Sequence, residues 1–438
     1  MDCLFSLFSF VYIQLSFCLK EKNMSVFRVV GGPQNYAWGK LGSSSAVARY
    51  AAANDPEHVK IDENTPYAEL WMGTHPKVPT IVYETGKPLS ELIAQNPSKY
   101  LGDKVIAKFG SSKELPFLYK VLSIKKVLSI QAHPDKKLAQ QLHASDPEHY
   151  PDDNHKPEMA VAITDFEAFC GFKPLAAIKH ELETIPEFAE LVGEKATKDF
   201  IANPSKENLK NVFHRVMSSD ETFIAEVATK LVKRSVEEPS LFGNELADLI
   251  QRLNEQFPKD VGLFCGCLML NHCNLKSGEA MFLQAREPHA YISGDIMECM
   301  AASDNVIRAG FTPKFKDVEV LVSSLTYSTN PVEEQKQPPA PFPRGSGDAK
   351  FALYDPPIDE FSVLQIKFDN AGKAQMKGID GPSIVIVTEG TGKLNQNDEN
   401  ISLDAFEGGV YFIAPGAEVE LVNESSKPFI LYRAFCEA

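Results

Sequence analysis

Three helix-period stripes interrupt a chain whose remaining texture is that of strands, and this limits the folds open to it. Leu209, Val212, Phe213 and Val216 fall at i, i+3, i+4 and i+7, and Ile224, Val227, Ala228 and Leu231 repeat the spacing. Leu246, Leu249, Ile250 and Leu253 repeat it again. Each set lines one side of a helix, so residues 174–257 read as a block of amphipathic helices with one buried stripe apiece. Outside the block the pattern is alternation. Residues 115–133 (LPFLYKVLSIKKVLSIQAH) alternate over two stretches, as half-buried strands do. From Phe361 onward FSVLQIKF, SIVIVTEG, GVYFIAPG, EVELV and FILYRAF follow one another at close spacing, the rhythm of a sandwich or barrel. The class is mainly β with a helical insertion, and the two β-rich ends suit two jelly rolls. The expected division is 24–173 with 258–330 as a first barrel, 174–257 as the helical domain, and 331–438 as a second barrel. Residues 331–348, with five prolines, read as a long linker without regular structure, folded over a site in one reading.

At 438 residues the chain exceeds what one core serves, and 44% apolar residues exclude wholesale disorder and a polytopic membrane protein. With 44 basic against 59 acidic residues the formal charge is −15, a poor match to a nucleic-acid backbone. A small anion held by a local basic pocket remains open. Eight irregularly spaced cysteines make no disulfide framework and suit a reducing compartment, here the cytoplasm. Residues 3–19 are uncharged, yet Asp2 precedes them without any Lys or Arg, no small-x-small cleavage site follows, and the stretch is short for a membrane span. Residues 1–23 are read as a dispensable extension, with a weak anchor or signal as the alternative, and no stable membrane association is expected.

All ten histidines lie at or before His289, so imidazole chemistry belongs to the first β-unit. Ser129, Gln131 and His133 stand at i, i+2 and i+4 and share a face if the segment is a strand. The plain reading is a solvent-facing strand; the alternative is a ligand-lined barrel interior, which a face of Gln and His rather than Lys and Glu favours. HKPE places Lys156 near Glu158, and EPHAY puts His289 and Tyr291 on one strand face. Gln131, His133, Glu158 and His289 then supply two imidazoles, a carboxylate and a neutral amide, a set suited to catalytic zinc. Taken singly, each histidine reads more simply as a hydrogen-bonded structural residue.

Cys265, Cys267, His272 and Cys273 also lie close together, but within an apolar run and without paired CxxC spacing, so they read as small hydrophobes. His143, His149, Asp152 and Asp153 read as a solvated loop. Arg308, Lys314 and Lys316 sit near Gly310 with little negative charge nearby; they make either an anion site or a solvated basic turn.

Longer blocks carry a family resemblance. LPFLYKVLSIKKVLSIQAHPDK, DDNHKPEMAVAITDFEAFCGF and EAMFLQAREPHAYISGDIMECMAASDNVIRAGFTPKFKDV, with NYAWGK and AELWMGTHPK, resemble type I mannose-6-phosphate isomerase from Met24 to the C-terminus. The resemblance implies a cupin-like catalytic jelly roll interrupted by a helical domain and followed by a second jelly roll. It implies an isomerase of mannose 6-phosphate and fructose 6-phosphate that feeds GDP-mannose synthesis, links mannose to glycolysis and holds one Zn2+ per chain. Gln131, His133, Glu158 and His289 take the zinc positions, and Arg308 the catalytic position. Gln-x-His stands where many cupins have His-x-His.

The chemistry moves a proton between C1 and C2 through an enediol, and the developing oxyanions need a cation beside them. A guanidinium is a poor base, so Arg308 is given an electrostatic and orienting role. Lys156, Glu298 or a metal-bound hydroxide are the candidate bases. Ser129, Lys156, Arg308 and Lys314, with Tyr291, are the candidate contacts to phosphate and sugar. The expected partner is a sugar phosphate rather than nucleic acid, and the expected state a monomer. Rival readings are another metal-dependent cupin such as a dioxygenase, or a non-catalytic sugar-binding bicupin.

Overall fold

In the computed structural model, which describes residues 24–438, the first β-unit is organised about one long strand, His289–Ala301. Its first half pairs with Phe166–Phe172 and, through His289, with Gln131. Its second half pairs with Phe117–Ile124 on one side and Glu158–Ala162 on the other. A strand that changes partners midway must bend, and Gly294 allows it: φ is +119°, and a Cβ there would lie 2.6 Å from the Asp165 carbonyl oxygen. Leu270–Leu275, Glu69–Met72 and Gly32–Gln34 extend this ten-stranded sheet at its edges, and Ile307–Arg308 joins Gln131–Ala132.

The wall strands are buried on both faces, not half-buried. On Phe117–Ile124, Glu158–Ala162 and the end of the long strand, one alternation points inward: Leu122, Ala160 and Ile296. The other, Tyr119, Val121, Met159, Val161, Met297 and Cys299, packs outward against Val363, Ile384, Ile386 and Phe412 of the C-terminal unit. Fully buried strands lose the apolar–polar alternation that marks a solvent-facing sheet.

The C-terminal unit is two sheets over one core. Five strands (Gly345–Gly347, Gly372–Met376, Val419–Asn423, Thr391–Gln396, Ile401–Phe406) face a seven-stranded sheet, with Met376, Leu394 and Leu421 meeting Leu364, Val385 and Leu431 between them. All five segments singled out in the sequence are strands here. Val26–Val30 also pairs antiparallel with Val410–Ile413, so the first described strand belongs to this sheet and not to the first barrel's. Residues 331–348 are more ordered than five prolines suggest. Val332–Gln335 makes a 3-10 turn, and Gly345–Gly347 pairs with Gly372–Met376. The apolar segment 3–19 lies outside the described residues, and no helix among them is long and apolar enough to cross a membrane.

The helical block runs from Leu175–Thr184 to Asn244–Gln256, followed by the single turn Gly262–Cys265. Two of its three longest helices start where a side chain takes up free N–H groups: Ser205 accepts from Asn208, and Asp220 from Thr222 and Phe223. The stripes are buried as their period requires, except that Leu246 is half-buried and Ala247 goes in. They share one core with Ala132, Ala290, Ile292 and Ile307 from three neighbouring strands of the barrel, and with the flanking Ile130 and Ala309. Phe172 ties the two together: its ring lies 5.4 Å edge-on to Phe213 and 5.3 Å stacked on Tyr327. Phe172→Ala should lower unfolding free energy by about 3–5 kcal/mol in urea titrations, since cavity and aromatic losses add; a loss under about 1 kcal/mol would mean the junction relaxes freely.

Candidate metal centre

The same three strands that back onto the helices present a polar front. In the strand register, Gln131 lies opposite His289 on one side and Arg308 on the other, so the three side chains form a row on one face. Their alternates, Ala290, Ala132 and Ile307, belong to the helical core. The strand through Gln131 is only two residues, Gln131–Ala132, because Pro134 has no N–H to continue the ladder. Ser129 precedes it in a half-buried, extended stretch held by Leu128 N–H to Tyr291 and Ile130 N–H to Gly310.

His133, Glu158 and His289 converge, with donor atoms all within 4.8 Å of one another and all three side chains buried. His133 Nε2 is 3.2 Å from Glu158 Oε1, and His289 Nε2 is 3.4 Å from Oε2. Each Nδ1 lies against a backbone carbonyl, that of Asn305 at 2.7 Å and that of Glu287 at 3.0 Å. A carbonyl only accepts, so Nδ1 carries the hydrogen and Nε2 presents a lone pair. Both Nε2 atoms are buried without a hydrogen-bond partner, each facing a carboxylate that also only accepts. A cation between them resolves the arrangement. Neighbouring ligands around tetrahedral zinc stand about 3.3 Å apart, given metal–ligand bonds of about 2.0–2.1 Å. The donor set fits zinc, with Gln131 beside His289 as the neutral fourth group.

The surrounding charges are arranged to keep these protonation states. Burial pushes His133 down to about 4, against the pull of Glu158, so it is neutral at pH 7. Burial would raise Glu158, but Lys156, 3.2 Å away, holds it well below the usual carboxylate range. Tyr291, a substrate contact in the sequence reading, is buried, and its hydroxyl donates to Glu158 Oε2 at 3.4 Å. Burial and the flanking Glu298 and Glu158 raise its phenol far above the ordinary range.

Glu298 is buried in the same interior. Burial, only partly opposed by Lys120 and reinforced by Glu158 and Glu69, pushes its carboxyl up to about 7. Lys120 Nζ lies 3.3 Å from both Glu69 and Glu298 and 4.8 Å over the Trp71 ring. Glu69 and Lys120 were not legible as site residues, though a lysine on an otherwise apolar strand (FLYKVLSI) is the signal that points to them.

Arg308 is half-buried, and no carboxylate lies within ion-pair distance of it among the described residues. Burial lowers its guanidinium. Lys314 is exposed, on a cavity lined with Met217, Glu221 and Ile224 of the helical block. The cysteines at 265, 267 and 273 are buried free thiols, and His272 is held by Glu167 at 2.7 Å. Of the supposed solvated loop, Asp153 is exposed while Asp152 is half-buried and hydrogen-bonded.

Known proteins resemble this chain over most of its length. Residues 26–175 match the family model for phosphomannose isomerase type I, catalytic domain; residues 183–270 match its helical insertion domain, and 352–397 its C-terminal part. The mannose-6-phosphate isomerase of Ogataea parapolymorpha is 65% identical, covering 94% of this chain and 99% of its own. That of Saccharomyces cerevisiae is 56% identical over the same shares. Among solved structures, the apo mannose 6-phosphate isomerase of Salmonella typhimurium superposes with a TM-score of 0.77 at 29% identity, covering 95% of this chain and all of its own. A mannose 6-phosphate isomerase bound with zinc and yttrium gives the same values.

The buried Glu298 generates a pH test. Its folded value, about 7, lies above the ordinary 4.5, so the stability it contributes is complete below about 4.5 and is lost as pH rises through 7. In metal-free protein, Glu298→Gln should flatten the fall in urea midpoint between pH 5 and pH 8; an unchanged slope would place the titration elsewhere.

Proposed function

The chain belongs to the type I phosphomannose isomerase family, and on that footing we propose which of its residues interconvert mannose 6-phosphate and fructose 6-phosphate. It is a zinc-dependent aldose–ketose isomerase. The observation that carries the site assignment is the pair of buried Nε2 lone pairs aimed at one carboxylate. His133, His289 and Glu158 hold the zinc, with Gln131 as the amide ligand. When bound, zinc supplies Lewis acidity for the negative charge that develops on the sugar oxygens.

The remaining steps fall to the chain's own groups. Isomerisation removes the proton on C2, returns it to C1, and moves the O2 proton to O1. Glu298 is the proton carrier between the carbons: it is buried beside Lys120, and burial raises its carboxyl above the ordinary range, toward the pH at which a group both accepts and returns a proton. Lys120 fixes that carboxylate in place, and Tyr291 steadies Glu158. Lys156, the cation next to Glu158, serves the oxygen-to-oxygen transfer. Arg308, in line with Gln131 and without a carboxylate of its own, takes the substrate's negative charge, with Ser129 two residues before Gln131 on the same face. Lys314, exposed beside Glu221, is left out of this set. The same reading takes the chain as a cytoplasmic monomer that meets sugar phosphates and not nucleic acid, in keeping with a formal charge of −15 and six free cysteines among the described residues.

Stripping metal with a chelator should abolish conversion of mannose 6-phosphate in a coupled assay for fructose 6-phosphate, and zinc should restore it; full turnover in metal-free protein would end the assignment. Arg308→Ala should cut kcat by about 10²–10³-fold, as loss of a single preorganised charge contact does, while zinc content stays at one per chain. Loss of zinc in that variant would recast Arg308 as a support for Gln131.

A further inference from the structure

We infer that Asp152 is a positioning residue for the metal centre, acting through the backbone of Asn305 on His133. The inference rests on the reading of His133 as a zinc ligand. His133 can offer Nε2 to a cation only while Nδ1–H has a fixed acceptor, and that acceptor is the Asn305 carbonyl at 2.7 Å. A carbonyl in a loop is only as fixed as the loop. Residues 303–305 belong to no strand or helix, so something else must hold them.

Asp152 does so with nearly every acceptor position it has. Its Oδ1 accepts from Ser303 Oγ at 2.8 Å and Asn305 Nδ2 at 3.1 Å, and also from its own neighbour, the Asn154 N–H, at 3.0 Å. Its Oδ2 accepts the Asp304 N–H at 2.7 Å, and its backbone oxygen accepts Asn305 Nδ2 at 2.7 Å. All three residues of the loop are therefore tied to one side chain across about 150 positions of sequence. Asp304, in the middle, is gripped from the other side by Lys77 at 2.6 Å and His75 at 3.6 Å. Asn305 is fully buried, so its side chain has no water to fall back on. Asp152 itself is half-buried on the wall of a cavity of about 270 Å³ that also holds His75, Lys77, Ser303 and Asp304. The carboxylate thus stands between solvent and the metal ligand, two hydrogen bonds from the ion.

Its charge matters as well as its shape. An asparagine would turn one oxygen into an N–H group facing the Asp304 N–H or the Ser303 and Asn305 donors, and the loop would have to open. The consequence is a less constrained His133 ring, and outer-shell partners of this kind typically change metal affinity about 10–100-fold.

The test is zinc affinity, measured by competition with a chromophoric chelator, on wild type, Asp152→Asn, Asp152→Ala, Asp153→Ala and His133→Ala. Cobalt(II) spectra of the same proteins report the ligand field. Asp152→Asn and Asp152→Ala should bind zinc at least about 10-fold more weakly and shift the cobalt bands. Asp153→Ala, the exposed neighbour, should match wild type in both. Unchanged zinc affinity and an unchanged cobalt spectrum in a folded Asp152→Asn protein would overturn the inference, provided His133→Ala loses zinc. If His133→Ala keeps full affinity, the assignment of the metal ligands fails first and takes the inference with it. Should Asp152→Ala not fold, Ser303→Ala, which removes one of the same bonds, should weaken zinc binding in the same direction; wild-type affinity there would count against the loop as the route.

Discussion

A carboxylate held between two imidazole lone pairs in a dry interior is the interaction on which the rest of this structure depends. Glu158 is buried, and an isolated carboxylate there would take up a proton rather than stay charged. It stays ionised because Lys156 is beside it, and the two imidazole lone pairs turned toward it leave a gap that a cation would fill. Around it, Lys120 bridges Glu69 and Glu298, so the barrel interior alternates sign at distances of about 3 Å. Such an interior is stable only while its partners remain in place. That requirement explains the walls.

Each wall strand has two buried faces because each divides two cores. Toward the C-terminal unit the outer residues meet the seven-stranded sheet. Toward the helical insertion, the alternates of His289, Gln131 and Arg308 enter the helical core. The insertion is thus the backing plate of the Gln131, His289 and Arg308 row, and the C-terminal sheet braces the strands that carry Lys120, Glu158 and Glu298. The link Val26–Val30 to Val410–Ile413 closes the brace from the start of the described chain. A protein of this kind can place ionisable groups in its interior because both sides of the wall are already solid.

The sequence made the helical insertion legible because a 3.6-residue period survives whatever the helix packs on, and 209–216 and 224–231 were buried residue for residue. The C-terminal strands were equally clear. The metal ligands could be proposed from residue chemistry because His and Gln on an alternating face are unusual. Their convergence could not, since His133, Glu158 and His289 come from three distant segments that only the sheet brings together. Lys120 and Glu69 were invisible for a related reason: on strands buried twice over, a charged residue resembles an error in an apolar run. Tyr291 was placed on the right face, but its hydroxyl is turned to Glu158. Lys314 was grouped with Arg308 by proximity in sequence, and the turn after Gly310 carries it to the helical side.

The central claim is that one ion joins Gln131, His133, Glu158 and His289. An X-ray difference map collected on either side of the zinc absorption edge, from crystals of protein purified without chelator, tests it directly. The account predicts a single peak about 2.0–2.1 Å from both Nε2 atoms and within bonding reach of Glu158 and the Gln131 amide oxygen. A peak among Cys265, Cys267 and His272 instead, or none between the two imidazoles in active protein, would contradict it.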